Sequence, residues 1–291
     1  MAAPGLRAGW GPAARARPLF FVHAAGGNVL SYAALARRLG ADQPFYGLQS
    51  RGVEGDEPVH ARIEDMAADY LAQLRAVQPA GPYRLGGWSM GGLVAFEMAR
   101  RLHAAGEAVE LLALLDSYAP AAAPPADDAD DLERLAGFML DLGLSRAQVT
   151  GAAAEVAALD PDARLRRAWE AARAADLVPG DLPLARFERL WAVYRANAAA
   201  AEAYRPSSIP SNLLFLFAED RPAPAAREVA GWAAFTTGSV RSAPVPGDHF
   251  TLVREPHVAV LAALLADALA APPSPAGGAD AGGASAEPAR P

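Results

Sequence analysis

Apolar and polar residues alternate along this chain in a way that predicts strands separated by helices. Short apolar runs at residues 18–22 and 45–50 have the length and the glycine or proline borders of buried strands. Each is followed by a stretch with helical spacing of apolar residues, at 31–40 and at 62–78. Strands that alternate with helices predict a largely parallel sheet with right-handed crossovers.

The same alternation continues into the C-terminal part of the chain. The apolar runs "YRLGGW", 109–117 and 212–220 predict three further strands, and "GSVRSAPVPGDHF" predicts the last one. The stretch "EPHVAVLAALLADALA" predicts a closing helix with a proline near its start. The fold class predicted from the pattern is therefore α/β.

One long stretch, residues 119–206, carries no strand pattern. A loop rich in proline, alanine and aspartate opens it, and helical segments follow. Because it begins directly after Asp116, it is predicted to be a helical lid over a site on the sheet; a helical subdomain that only adds bulk is the alternative. We predict one domain at 17–271, a flexible leader at 1–16 and, from its low apolar content, a disordered tail at 272–291.

The composition of the chain excludes several classes of partner and reaction. The 291 residues carry a formal net charge of −7, which argues against a nucleic-acid partner. Cysteine is absent, and so is lysine, which excludes a cysteine nucleophile, a thiolate metal site and a lysine Schiff base. The chain has neither a secretory signal nor an apolar run long enough for a membrane helix, so we expect a cytoplasmic protein without a membrane partner.

A Gly-x-Ser-x-Gly motif is the strongest chemical signal. "LGGWSMGG" places Ser89 between a predicted strand and a predicted helix, with Gly87 two residues before it and Gly91 two residues after it. This is the pattern of a nucleophile elbow, in which a strained turn presents the serine and small neighbours let strand and helix pass closely.

A serine nucleophile needs a base, and five histidines compete for that role. His249 is favoured because "PGDHF" places it in a tight loop between the last strand and the last helix, at the sheet edge where the elbow lies. His60 and His103 are predicted to be surface residues, and His257 a cap or packing residue. The order of nucleophile, acid and histidine along the chain is the one expected for this architecture.

Two aspartates are candidates for the acid, and two loop residues are candidates for the second oxyanion donor. Asp116 and Asp220 both end apolar strands, and position alone does not separate them. The amide of Met90, directly after the nucleophile, is predicted to donate to the oxyanion. The second donor is expected from "HAAGG", from Gly26 or Ala25.

In combination, the motifs "PLFFVHAAGGN", "GPYRLGGWSMGGLVAFEMARRL", "LLDSYAP" and "PGDHFTLVREPHVAVLAALL" resemble the thioesterase domains of nonribosomal peptide synthetases and polyketide synthases, which are α/β-hydrolases. The likeness extends from about residue 17 to residue 270. It implies Ser89 as nucleophile, His249 as base and Asp116, within the "LLDS" segment, as acid. It also implies a mostly helical lid after that aspartate.

The resemblance further implies the reaction and the partner. An acyl or peptidyl carrier protein would deliver the chain as a thioester on its phosphopantetheine, and a Ser89-linked ester would be released by hydrolysis or macrocyclisation. No metal or bound cofactor is expected. Stand-alone editing thioesterases are an alternative, and these usually take their acid from the region of Asp220. A small-molecule carboxylesterase with the same triad and a carrier-docking module without activity are two further hypotheses.

Overall fold

A central sheet with helices on both faces forms the body of the molecule. The computed structural model describes residues 6–7, 16–55, 57–120, 131–220 and 225–271. Its strands are Leu6–Arg7 (β1), Leu19–Val22 (β2), Phe45–Leu48 (β3), Tyr83–Trp88 (β4), Val109–Leu115 (β5), Leu213–Ala218 (β6) and Val240–Val245 (β7). Its α-helices are Ala33–Leu39 (α1), Ile63–Val77 (α2), Met90–Ala104 (α3), Asp131–Leu142 (α4), Arg146–Ala157 (α5), Pro161–Ala174 (α6), Leu184–Ala203 (α7), Ala225–Ala233 (α8) and Val258–Ala270 (α9).

The strands lie in the order β1-β3-β2-β4-β5-β6-β7. From β3 to β7 every neighbouring pair is parallel, while the two-residue β1 pairs antiparallel with β3, Leu6 opposite Leu48. The chain moves outward from β2 to β3 and then returns to place β4 on the other side of β2. Such a reversal of direction opens a crevice at the carboxyl ends of the central strands, where ligands bind in open α/β sheets.

Both faces of the sheet are covered in its central part, so strands β2 and β6 are apolar throughout instead of alternating with polar residues. In β2, Phe20 packs into a core cluster with α2 and α3, whereas its neighbour Phe21 packs into a second cluster with α1 and α9. Phe215 and Leu216 of β6 divide between the same two clusters. Successive side chains of a strand point to opposite faces, which explains this division.

The region between β5 and β6 is helical from residue 131 to residue 203, as the missing strand pattern predicted. Of its described part, helices α4 to α7 enclose a third apolar cluster built around Phe138, Phe187 and Trp191. We call residues 131–203 the helical insertion. Two helices of the insertion begin at residues that favour a helix start. Ser145 and Gln148 form a capping box for α5, and Asp160 caps α6 with Pro161 at its first position.

Two elements were not predicted. Helix α8 follows a proline-rich stretch that hides its start, yet its Trp232 is fully buried and donates from Nε1 to the Ser117 carbonyl at 2.7 Å. Strand β1 lies within the predicted leader, the rest of which falls almost entirely outside the described residues, as does the predicted tail at 272–291. No helix in the described ranges is long and apolar enough to cross a membrane.

Candidate active site

Ser89 occupies the turn between β4 and α3, in the strand–turn–helix context predicted from the sequence. Its φ of 57° and ψ of −129° lie in a region that non-glycine residues rarely adopt. A Cβ at Gly87 would collide with the backbone of Gly91, and a Cβ at Gly91 would collide with the carbonyls of Val22 and His23. The motif glycines are therefore what allows α3 to start this close to β2 and β4.

Three side chains from three strand ends meet at this turn. Nδ1 of His249, after β7, lies 2.7 Å from Oδ2 of Asp116, after β5. Nε2 of the same ring lies 3.1 Å from Oγ of Ser89. With the carboxylate on Nδ1, the proton stays on that nitrogen, which leaves Nε2 as an acceptor for the serine hydroxyl. The arrangement is that of a nucleophile, a base and an orienting acid in hydrogen-bond contact.

Asp116 is fully buried and held by its neighbours. Its Oδ1 accepts from the amide of Ala218 on β6 at 3.0 Å, and the hydroxyl of Tyr118 donates to Oδ2 at 3.1 Å. Its own amide donates to the Leu216 carbonyl at 2.7 Å, at a positive φ of 41°. Bonds of this kind stabilise the ionised carboxylate and its orientation.

Asp220, the other aspartate left open by position, lies elsewhere. Its side chain is exposed, and its amide donates to the Gly247 carbonyl at 3.0 Å. The end of β6 thus contributes the Ala218 amide, which donates to Asp116. The carboxylate that is hydrogen-bonded to His249 is that of Asp116 and not that of Asp220.

The loop that carries His249 is braced from several sides. Asp248 Oδ1 accepts from the amides of Phe250 and Thr251 at 3.1 and 3.0 Å and so forms a tight turn around the histidine. The indole Nε1 of Trp88, the residue before the nucleophile, donates to the His249 carbonyl at 3.0 Å. The Tyr118 ring stacks against the imidazole with centroids 6.2 Å apart. The position of the ring is thus tied to β4 and β5.

The two predicted oxyanion donors lie at the start of α3 and in the loop after β2. Met90 is the first residue of α3, where the amides of the first turn have no partner within the helix. Gly26 lies in the loop after β2, and side chains hold this loop by hydrogen bonds to two of its backbone carbonyls. The Ala24 carbonyl accepts from Nδ1 of His23 at 2.6 Å, and the Ala25 carbonyl accepts from Nδ2 of Asn197 at 2.9 Å.

His23 is a structural residue of this loop. It is fully buried, and desolvation lowers its pKa to about 4, so the ring is neutral at pH 7. Its Nδ1 donates to Ala24, and its Nε2 accepts from the hydroxyl of Tyr70 on α2 at 2.7 Å.

A carboxylate of the helical insertion also reaches the site. Asp141, in the last turn of α4, has its Oδ2 directly above the Cα of Gly26, so a Cβ there would collide with it. Desolvation raises the pKa of Asp141 to about 6, while the nearby imidazole of His249, the charge of Arg254 and the Gly26 amide act in the opposite direction. Arg254 fixes this end of α4 through the carbonyls of Leu140 and Asp141, at 3.2 and 3.0 Å.

The prediction that His60 and His103 are surface residues was wrong. Both are half-buried, and burial lowers the pKa of each ring. His103 Nε2 lies 2.7 Å from Oγ of Ser211, and His60 Nε2 lies 3.7 Å from Asp69. The cause is tertiary, because α3 packs near the loop before β6 and the chain before α2 folds back onto that helix.

Sequence reasoning also missed the residues that support the site, namely Trp88, Tyr118, Asn197 and Asp141. Trp88 and Tyr118 adjoin motif residues, which was the available signal. Asn197 is the sole polar residue within "ANAAAA" of α7, which indicates a buried position without indicating what it contacts. The bond to Ala25 spans 172 residues of chain and leaves no local signature.

The strand order, the flanking helices and the serine turn after β4 define an α/β-hydrolase fold. Residues 17–267 match the thioesterase domain family, and the chain belongs to it. The family prediction from the motifs is confirmed.

Relatives and solved structures agree with this assignment. Chondramide synthase from Chondromyces crocatus is 31% identical over 255 residues, which cover 84% of this chain and 6% of that protein. The dimodular nonribosomal peptide synthase of Bacillus subtilis (strain 168) is 48% identical over 122 residues, or 42% of this chain and 5% of that protein. The chain therefore spans only a small fraction of the length of these curated relatives.

Two solved structures cover most of the chain. A holo four-domain nonribosomal peptide synthetase bound to AMP and glycine superposes with a TM-score of 0.81 at 28% identity, covering 92% of this chain and 20% of that one. The NocB thioesterase domain from the nocardicin cluster superposes with a TM-score of 0.65 at 26% identity, covering 92% and 99%. The chain thus has the fold of thioesterase domains from nonribosomal peptide synthetases.

Proposed function

We propose that this chain releases an acyl or peptidyl chain from the phosphopantetheine thioester of a carrier protein in nonribosomal peptide or polyketide biosynthesis. The observation that carries the proposal is the continuous contact from Ser89 through His249 to buried Asp116, with distances of 3.1 and 2.7 Å. The synthases among the relatives support the substrate class.

In the acylation step, Ser89 Oγ attacks the thioester carbonyl while His249 Nε2 takes its proton. Asp116 stabilises the imidazolium that forms. The amides of Met90 and Gly26 would hold the oxyanion of the tetrahedral intermediate, which collapses to a Ser89 ester as His249 returns the proton to the leaving thiol.

In the release step, a second nucleophile attacks the ester. Water gives the free acid, whereas an amine or hydroxyl of the bound chain gives a macrocycle. In either case His249 takes a proton from the nucleophile and returns it to Ser89. The helical insertion would act as a lid that limits the access of water to the ester.

Intact-protein mass spectrometry tests the proposal. The chain is incubated with acylated carrier protein, and separately with an acyl-N-acetylcysteamine thioester and a p-nitrophenyl ester. We expect an acyl adduct on the wild type with both thioesters, no adduct with Ser89→Ala, and slower reaction with the simple ester. Loss of the adduct in a chain whose melting temperature is unchanged assigns it to Ser89.

The same experiment separates the competing functions. Preferred turnover of short, non-native acyl groups from carrier proteins would indicate an editing thioesterase. A simple ester cleaved faster than any thioester would indicate a carboxylesterase. Failure of every ester and thioester to acylate Ser89 would indicate a docking module and would overturn the proposed function.

A further inference from the structure

The carbonyl of Ala25, in the loop after β2, is held by a single side chain of the helical insertion. Nδ2 of Asn197, on α7, lies 2.9 Å from that carbonyl oxygen. The Asn197 side chain is fully buried, whereas Ala25 is partly exposed. The same nitrogen lies 3.5 Å from Oγ of Ser50, at the end of β3.

This bond also sets the direction of the next amide. In a trans peptide the carbonyl and the N–H of one unit point in opposite directions within one plane. Holding the Ala25 oxygen toward α7 therefore directs the Gly26 N–H away from α7. On that side lies the Asp141 carboxylate, positioned against the Gly26 Cα, and the Gly26 amide is among the groups that stabilise its charge. An acceptor oxygen of Asp141 therefore already lies on the side that this N–H faces.

Asn197 is a costly residue in this position. Its Oδ1 is buried and has no hydrogen-bond partner among the described residues. An unpaired buried acceptor destabilises a fold, and an apolar side chain of similar size would avoid that penalty. Residues that reduce stability in this way concentrate at functional sites.

We propose that Asn197 is a positioning residue for the reaction: it holds the Ala25–Gly26 peptide so that the Gly26 amide is ready to donate to the oxyanion. The inference rests on the proposed function, in which Gly26 is the second donor. It makes the helical insertion part of the catalytic geometry as well as a cover for the substrate.

Two substitutions remove the donor in different ways. Asn197→Leu removes the bond and the unpaired oxygen together, whereas Asn197→Asp keeps the shape and turns an acceptor toward the Ala25 carbonyl. Phe187→Leu is the matched control, because Phe187 lies on the same helix, is fully buried and packs within the insertion against Phe138. The readouts are kcat and KM for an acyl-N-acetylcysteamine thioester, the melting temperature and the Kd of phenylboronic acid, which forms an anionic tetrahedral adduct with a reactive serine.

We expect both Asn197 variants to lower kcat about 10- to 100-fold with little change in KM, the size of effect produced by a displaced or lost oxyanion donor. Phenylboronic acid should bind about 10- to 100-fold more weakly to them. Phe187→Leu should lower the melting temperature and leave kcat and the boronate Kd unchanged.

Three results would overturn the inference or its basis. If the Asn197 variants keep wild-type kcat and boronate affinity, the inference is wrong. Asn197 is then only a packing residue, or the second oxyanion donor is the Ala25 amide, which belongs to the peptide whose Ala24 carbonyl is held by His23. A fall in kcat matched by Phe187→Leu would show a general effect of stability. If the wild type binds boronate through Ser89 yet turns over no thioester, the proposed function fails, while the boronate affinities of the variants still decide the role of Asn197.

Discussion

The sheet and the helical insertion contribute to the site in different ways. Ser89, Asp116 and His249 all follow strands of the sheet, whose two faces are covered by large apolar clusters. The insertion has a smaller cluster of its own and reaches the site through Asn197 and Asp141, which face the loop after β2.

This difference indicates a division of labour. In the proposed reaction, the groups that exchange protons or form bonds are attached to the sheet, and attachment to such regular elements favours accurate geometry. Asn197 and Asp141 lie instead on α7 and α4, and they contact the loop that is proposed to supply the second oxyanion donor. In the proposed function the sheet therefore carries the groups that react, and the insertion carries side chains that hold the loop after β2.

The largest effect is expected at the sheet edge, from Ser89→Ala. Loss of the nucleophile should lower kcat for a thioester by at least about 10⁴-fold, because only binding and the anion hole remain. The steady-state rate with an acyl-N-acetylcysteamine thioester measures it. Ser208→Ala, at an exposed position in the chain after α7, should keep the wild-type rate.

The second largest effect on kcat is expected from substitution of Asp116, one of the two aspartates that follow apolar strands. Asp116→Asn should lower kcat by about 10³- to 10⁴-fold at pH 7, because an amide at this position favours the wrong imidazole tautomer and leaves the imidazolium without a counter-charge. Asp220→Asn is the matched control and should keep the wild-type kcat, since its side chain is exposed. A slow Asp220→Asn enzyme beside an active Asp116→Asn enzyme would reverse the assignment of the acid.

Gly91→Ala tests the packing beneath the nucleophile. The new Cβ would meet the carbonyls of Val22 and His23, which are backbone atoms at the end of β2 and directly after it and cannot swing aside as a side chain could. We expect a loss of about 3 kcal/mol or more in the free energy of unfolding, together with loss of activity. Urea unfolding measures the first, and a stability within about 1 kcal/mol of wild type, by the scale of single substitutions, would contradict it.

Asp141→Asn tests the charge that the insertion places over Gly26. Because burial raises the folded-state pKa of Asp141 from 3.8 to about 6, the native state binds a proton more tightly than the unfolded state does. Wild-type stability should therefore fall as the pH rises from 4 to 6, relative to the variant. At pH 7 the variant should be more stable by about 1 to 3 kcal/mol.

The measurement for Asp141 is the difference in unfolding free energy between the two chains at pH 4, 5, 6 and 7. Groups other than residue 141 titrate in both chains and largely cancel in that difference. A difference that is constant over this range would contradict the predicted burial of the charge.

The smallest effect is expected within the insertion, from Gly151→Ala in α5. A Cβ at this exposed position meets nothing within 4 Å, so only helix propensity changes. We expect a gain of about 0.5 to 1 kcal/mol in the free energy of unfolding and an unchanged kcat. The contrast with Gly91→Ala, measured in the same urea series, would show how differently the two regions tolerate one methyl group.

Much of the fold could be predicted from the sequence because it depends on local patterns. The apolar runs of β2 to β6 follow from the burial of both sheet faces, and the serine turn follows from the spacing of Gly87 and Gly91. Helix α8 was missed because a proline-rich stretch masks its start.

The sequence by itself determined the α/β class, the family, and Ser89 and His249 as candidates, since each depends on residues adjacent in the chain. Position along the chain left Asp116 and Asp220 open and the family resemblance favoured Asp116, but only the tertiary structure shows the hydrogen bond between Asp116 and His249 and the bond from Asn197 to Ala25. These two contacts depend on how the parallel strands and helix α7 pack against one another. Contacts across 133 and 172 residues of chain are set by packing, and packing leaves no local pattern.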